Sequence, residues 1–480
     1  MRRAILAFQD RIQSERGLLS RSLAILILVT FLPVAGCDFQ VVNPGPVQDD
    51  MLNDPATFES LVGGALRGAM LGLNSYSLKS VTLSREIQPS GSTGAAGVDH
   101  QVEISQFGLD VGHLPALGWN TGHEGRWIAQ HAAERIREAL GAEAASTSSH
   151  MARVHLWGGY ADRILGEHVC HAVIDGGSPE PYTVHFERAV DQFTSAAEIA
   201  ARIGDSETEL AARSGRAAAL MFLDRAGEAA ADAAQIPADF VFRQGFTPGL
   251  VEGGARWEVG RSIDGVHRAI SAWNTVYEGY YLETGDPRVA WGYDDSSQQT
   301  RYGEVARATF GLVPFYWPMK FYIPRGQHPD FRSVWDPNPE AQWRMPVTLS
   351  SGREMRLILA EAALLENRWQ EAVSILNSLR KGLLNDHTGE PLELWNVAGL
   401  EEAWTAFKRE HGIEMWLEGR RLGALRRWEE SGTPGDLHPL EYTPQETVER
   451  FGAPAVPARC FPVPESERDQ NPNVPMDLNP

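Results

Sequence analysis

Apolar residues recur at three- and four-residue steps through much of the chain, the spacing of one face of an α-helix. The clearest run is 183–235. Phe186, Ala189, Val190, Phe193, Ala197 and Ala200 form one stripe, and Gly204-Asp205 interrupts it. Leu210, Ala217, Leu220 and Met221 form a second, and 226–234 carries a third. Asn53-Asp54-Pro55 is a helix start signal, with Phe58, Leu61, Val62, Ala65 and Leu66 following at helical spacing. Similar patterning covers about 119–140, 150–169 and 353–381. Short alanine-rich helices joined by tight turns predict stacked antiparallel pairs.

In 353–381, Leu359, Ala360, Ala372, Leu376 and Leu379 fall roughly where tetratricopeptide repeats place packing residues. The period is too irregular for a free-standing array, so a mainly α fold is expected, with helix pairs as scaffold. The scaffold is predicted over about 53–235 and 351–428. Residues 236–350 have another texture, dense in Gly, Pro and aromatics, with short helical stripes apart from about 262–283. Loops on a rigid scaffold commonly carry binding, so this part is the expected binding region. Residues 429–480 are proline-rich and predicted as a loop segment.

The N-terminus reads as an address. Five arginines lie within 1–22, and 23–36 (LAILILVTFLPVAG) has no charge. That apolar run is shorter than the ~20 residues a membrane-spanning helix needs. A basic stretch, a short apolar stretch and small residues predict a secretory signal peptide over 1–36. Val34-Ala35-Gly36-Cys37 resembles the lipobox of bacterial lipoproteins. That resemblance implies Cys37 as the first mature residue and lipid anchor, with palmitate among its chains. The alternative is an ordinary signal peptide followed by a chance cysteine. Residues 37–52 form a polar stretch with Pro44 and Pro46, expected to be an extended tether.

Composition narrows the function. The chain has 480 residues, 43% hydrophobic and 22% charged, which is globular, and a net charge of −20. Removing 1–36 takes away five Arg and two acids, so the mature chain stands at −23. So acidic a surface repels phosphate backbones, and nucleic acid is excluded as the expected partner. Three cysteines cannot build a disulfide framework, and no C-x-x-C suggests zinc. After export Cys170 and Cys460 would lie in an oxidising compartment, where they could pair, although the sequence does not place them together. His168 and His171 flank Cys170 at a metal-like spacing, but one helical turn cannot aim all three at one ion. A core or surface role is preferred, and no metal or cofactor is expected. There is no G-x-S-x-G, P-loop or helix-opening G-x-G-x-x-G, so no enzyme is expected.

Four ordered motifs resemble the SusD/RagB-like nutrient-binding lipoproteins of the bacterial outer membrane. The first is Cys37-Asp38-Phe39 through Asn43-Pro44, with Asn53-Asp54-Pro55. The second is Gly285-Asp286-Pro287-Arg288, and the third is 353–384 with AEAALLENRWQEAVSILNSLRKGL. The fourth runs from Ile413 through Glu414, Glu418, Gly419, Arg420 and Arg421 to Leu425-Arg426-Arg427-Trp428. Phe461-Pro462-Val463-Pro464-Glu465 and Asn471-Pro472-Asn473 complete it. Ala424 stands where that family usually carries Asp. The resemblance implies one SusD-like domain over 53–480, held at the cell surface of the outer membrane by the lipid. It implies that the domain binds an oligosaccharide, or in some relatives a peptide, and passes it to a SusC-like TonB-dependent transporter. The alternatives are a lipid-anchored glycoside hydrolase and a helical-repeat scaffold for envelope protein assembly.

Sugar rings present flat C–H faces that aromatic side chains stack on, while Asp, Asn, Arg and Gln read the hydroxyls. The candidate ligand-binding residues are Trp291, Tyr293, Asp294, Asp295, Tyr302 and Trp317, with Trp119 as an outlying one. Arg420, Arg421, Arg426 and Arg427 could form an anion site. The preferred reading is structural, with Glu414 and Glu418 as ion-pair partners at helical spacing.

Overall fold

A computed structural model describes residues 49–89, 114–246, 257, 259–260, 270–292, 316–321, 346–441 and 459–478. The helices are α1 (Phe58–Leu83), α2 (Leu114–Ala145), α3 (Ser149–His168), α4 (Thr183–Ile203), α5 (Ser206–Met221) and α6 (Ala226–Ala233). They continue with α7 (Val276–Thr284), α8 (Gly352–Leu365), α9 (Trp369–Arg380), α10 (Leu400–Glu414), α11 (Arg421–Glu430) and α12 (Glu465–Gln470). The strands are β1 (Gln88–Pro89), β2 (His171–Ala172), β3 (Glu180–Pro181), β4 (Val241–Gln244), β5 (Ile270–Ser271), β6 (Trp291–Gly292), β7 (Trp317–Pro318) and β8 (Val347–Ser351). All are in two-stranded antiparallel ribbons, β1 with β5, β2 with β3, β4 with β8 and β6 with β7.

Successive scaffold helices pack side by side, and several also reach a helix further along. Helix α1 meets α2 and α3, α3 meets α4 and α5, α5 meets α6 and α8, and α8 meets α9 and α10. This is a mainly α fold of stacked helix pairs like tetratricopeptide repeats, as the apolar stripes predict. Side-chain caps start several of the helices. Ser148 Oγ accepts from the Met151 N–H, Asp205 Oδ1 from the Thr208 N–H and Ser351 Oγ from the Glu354 N–H. Helices α1 and α2 cross almost backbone to backbone, where a Cβ on Gly125 would stand 2.5 Å from the Gly68 carbonyl carbon. No described helix is long and apolar enough to cross a membrane.

Helix α6 packs on α8 although the chain between them passes through the aromatic-rich part. The β4–β8 ribbon explains how. Val241 pairs with Ser351 and Gln244 with Val347, so that excursion leaves and rejoins the scaffold at one place. Helix α11 folds back onto α1 and α3. The C-terminal segment, predicted as loop, contains α12 and is fastened to the end of α3. Cys170 and Cys460 form a disulfide, the Cys170 N–H donates to Phe461 O (2.9 Å), and the Phe461 N–H donates to His168 O (2.7 Å). The disulfide resolves the pairing that the sequence left open.

The arginines of 420–427 are structural, but not as the helical spacing suggests. Helix α10 ends at Glu414 and α11 begins at Arg421, with left-handed Leu417 (φ 63°) and Gly419 (φ 73°) making an elbow between them. Partners therefore come from elsewhere in the chain. Arg420 donates to Glu167 Oε1 and Glu354 Oε1, both at 2.8 Å, and Arg427 to Glu361 Oε2 at 2.7 Å. Arg421 pairs with Glu441. Arg426 donates to Val169 O (2.6 Å) and lies 3.5 Å above the Tyr182 ring. Glu414 and Glu418 pair instead with Arg353 and Lys320. His168 is buried, bonded through Nδ1 to Ile164 O (2.7 Å) and stacked on Tyr76.

Candidate functional site

Strands β6 and β7 bring together an aromatic group. Trp291 stacks on Tyr316 with centroids 4.4 Å apart and planes 17° from parallel. Tyr281, near the end of α7, meets the Trp291 ring edge-on at 6.0 Å, and His387 lies 4.9 Å from Tyr281. Trp291, Tyr316 and Tyr281 are half-buried, and Asp386 and His387 are exposed. Aromatic pairs of this geometry gain energy beyond burial alone. Here the pairs also remain within reach of solvent.

Hydrogen bonds fix each ring. The Trp291 Nε1–H donates to Glu278 O (3.3 Å) and the Tyr316 N–H to Ser271 Oγ (2.9 Å). The Tyr281 hydroxyl donates to Asp386 Oδ2 (3.3 Å), while His387 Nε2 lies 2.8 Å from Tyr281 O. Burial pushes the Tyr281 hydroxyl above its ordinary pKa, and the Asp386 carboxylate pushes the same way, so it stays a donor.

Beneath the rings lies a buried ionic lattice. Helix α7 ends at Gly285, whose φ of 59° suits a residue without a side chain. Asp286 then caps the Pro287–Val289 turn by accepting from the Arg288 N–H (3.1 Å). The Arg288 guanidinium donates to Asp286 Oδ2 (2.7 Å), Glu410 Oε1 (2.5 Å) and Glu414 Oε2 (2.9 Å). Arg380 donates to Glu410 Oε2 (3.1 Å) and to the Tyr280 hydroxyl (2.8 Å). Arg353 donates to both Glu414 oxygens, at 2.5 and 2.7 Å, and the Trp395 Nε1–H donates to Glu410 Oε2 (2.7 Å). Three cations thus balance three carboxylates. Burial alone would raise the Glu414 pKa, but Arg353 and Arg288 outweigh it and hold the carboxyl below its ordinary range. The Gly-Asp-Pro-Arg motif therefore pins the aromatic group to scaffold helix α10.

The sequence candidates divide three ways. Trp291 is in the group. Trp317 and Trp119 are not available as platforms, because only 8% and 3% of their surfaces reach solvent. Trp317 packs against Gly292, and Trp119 lies against His123 at 4.4 Å. Tyr293, Asp294, Asp295 and Tyr302 lie outside the described residues, as does Cys37. Tyr281, Tyr316 and His387 were not among the candidates. The aromatic density of 236–350 hinted at the first two. Nothing local marks His387, which arrives from the turn after α9.

No protein-family model matches the chain, and no curated protein matches it. Solved structures do. A SusD-like protein from Bacteroides fragilis superposes with a TM-score of 0.61 at 12% identity, over 90% of this chain and 99% of that one. A surface glycan-binding protein A from Bacteroides fluxus gives 0.61 at 14% identity, over 89% and 98%. A SusD superfamily protein from Parabacteroides distasonis gives 0.60 at 12%, over 88% and 98%. The fold is thus SusD-like, in agreement with the ordered motifs. At these identities the likeness concerns architecture.

Proposed function

We propose that this chain is a surface lipoprotein of the outer membrane that binds a carbohydrate, in the form of an oligosaccharide, and delivers it to a SusC-like TonB-dependent transporter. It is a binder and not an enzyme, and a peptide is the other ligand class the sequence resemblance implies. The observation that carries the reading is the half-exposed Trp291–Tyr316 stack, edged by Tyr281, His387 and Asp386 and anchored to the scaffold. A pyranose ring laid on an indole exchanges wet C–H surface for aromatic contact at little cost in rotamer entropy, and the rim groups meet its hydroxyls. Support also comes from SusD-like neighbours that include a surface glycan-binding protein. The Cys37 lipobox and the disulfide, a bond of oxidising compartments, fit export.

The test has two arms. Trp291→Ala should lower oligosaccharide affinity about tenfold or more by titration calorimetry while the melting temperature stays within about 2 °C. An affinity equal to wild type would remove the stack from the site. Isolation of the tagged chain from membranes should bring down a TonB-dependent barrel, and its absence would remove the transporter from the reading.

A further inference from the structure

Trp127 is the one exposed tryptophan among the described residues, with 49% of its surface open. It stands on α2, whose other side packs on α1 and α3, whereas the Trp291 group is built from α7, β6, β7 and the turn after α9. Its indole does not hang free. His131, one turn on, stacks against it at 3.8 Å and 28°, and His131 Nδ1 lies 3.0 Å from Trp127 O. One face of the ring is thereby backed.

The same face of α2 carries a chain of polar groups. The Gln130 Nε2–H donates to Glu134 Oε1 (3.1 Å). Gln130 Oε1 accepts from Arg126 (3.3 Å) and from Arg188 (3.2 Å). Arg126 also pairs with Asp175, and Arg188 lies 3.4 Å from Asp162. Every long side chain here is held by another, so the rim is preorganised and little entropy remains to be lost on binding. A protein partner would want a wider apolar patch, of the order of 800 Å² per side, than one ring within an ionised rim provides. A sugar ring wants what is present, one aromatic face with donors and acceptors beside it.

We propose that Trp127 with His131, Gln130, Glu134 and Arg188 is a second carbohydrate contact, separate from the Trp291 group, that takes a neutral sugar ring of a long glycan. The proposal rests on the carbohydrate reading above. A second contact on one polymer adds avidity and leaves the affinity for short ligands unchanged.

The experiment compares the full chain with Trp127→Ala, Trp291→Ala and the double variant. The probes are soluble α-glucan, β-glucan, xylan and mannan, each as polymer in affinity gels and as hexasaccharide by calorimetry. Trp127→Ala should fold normally, keep its hexasaccharide affinity and lose about tenfold in retention by the polymer that wild type binds. Trp291→Ala should lose the hexasaccharide. Polymer retention by Trp127→Ala equal to wild type, with Trp291→Ala still impaired, would overturn the second contact and leave the main site standing. A polypeptide held by wild type and lost in Trp127→Ala, with polymer retention unchanged, would overturn it in favour of a protein contact. A wild-type chain that binds none of the four glycans would overturn the carbohydrate reading and this contact together.

Discussion

Glu86 is a carboxylic acid with 0% exposure at the seam between α1 and the α10–α11 elbow. Its Oε1 accepts from the Leu417 N–H (2.7 Å), its Oε2 from the Ser84 hydroxyl (2.6 Å), and its carbonyl from the Trp416 Nε1–H (3.0 Å). Burial pushes its pKa up to about 7, although the bonds from Ser84 and Leu417 and the charges of Arg421 and Lys320 pull the other way. The folded chain therefore holds a proton that the unfolded chain gives up near 4.5. This contribution to stability is fully present below 4.5 and is lost as pH rises through about 7. Glu86→Gln should flatten the decline in melting temperature between pH 5 and 8 and raise it at pH 8. Parallel profiles for wild type and variant would show that the carboxyl does not titrate there. At this scale the sequence was legible in kind but not in partner. Arg420, Arg421 and Arg427 are ion-paired in kind as expected, yet Glu167, Glu354, Glu361 and Glu441 come from distant segments, and Arg426 donates to the Val169 and Gly166 carbonyls instead. Spacing along one helix cannot encode them. Trp119 and Trp317 failed as platforms for a related reason, since composition marks an aromatic but not the side of it that neighbours cover.

Among elements, the Asp286–Val289 turn joins the aromatic group to α10, and Arg288 is its pin. Asp286 and Glu410 are fully buried, so Arg288→Met would leave three carboxylates sharing only Arg353 and Arg380. Breaking one partner out of a buried charge network typically costs about 3–5 kcal/mol. Denaturant unfolding should register a loss of that order, together with weakened oligosaccharide binding. A loss below about 1 kcal/mol would mean that Arg353 and Arg380 suffice. Long elements were the most legible. The stripes at Phe186–Ala200 and Leu210–Met221 predicted α4 and α5, because an alanine-rich stripe can bury itself only against a like neighbour. Helical spacing through 414–427 predicts continuous helix, whereas the chain turns at 415–420. Gly419 takes its left-handed conformation without strain, and contacts of the elbow with Glu86, Lys320 and Ser80 hold Leu417 in a conformation its own propensity disfavours.

For the molecule as a whole, the disulfide is the covalent tie between distant segments among the described residues. Cys170 and Cys460 are 290 residues apart, for which a chain-entropy estimate gives roughly 6 kcal/mol of stabilisation. Cys460→Ser or added reductant should lower the melting temperature by several degrees and expose 459–478 to protease first. Unchanged melting and cleavage would show that the hydrogen bonds of Phe461 hold that segment alone. The stacked order of the pairs was legible in outline, but the seating of α8 on α6 was not, since nothing in the residues between them records where the chain returns. The β4–β8 ribbon settles that return, and it carries a consequence for how such proteins diversify. Because the two ends of the excursion are hydrogen-bonded neighbours, the gap the scaffold must bridge is the same whatever the length or wording of the intervening chain. Lengthening it costs only loop-closure entropy, which grows slowly. A lineage built on this plan exchanges the part of its ligand-reading surface that carries Tyr281, Trp291 and Tyr316 as a cassette, while the scaffold around it and the Asp386–His387 turn stay in place.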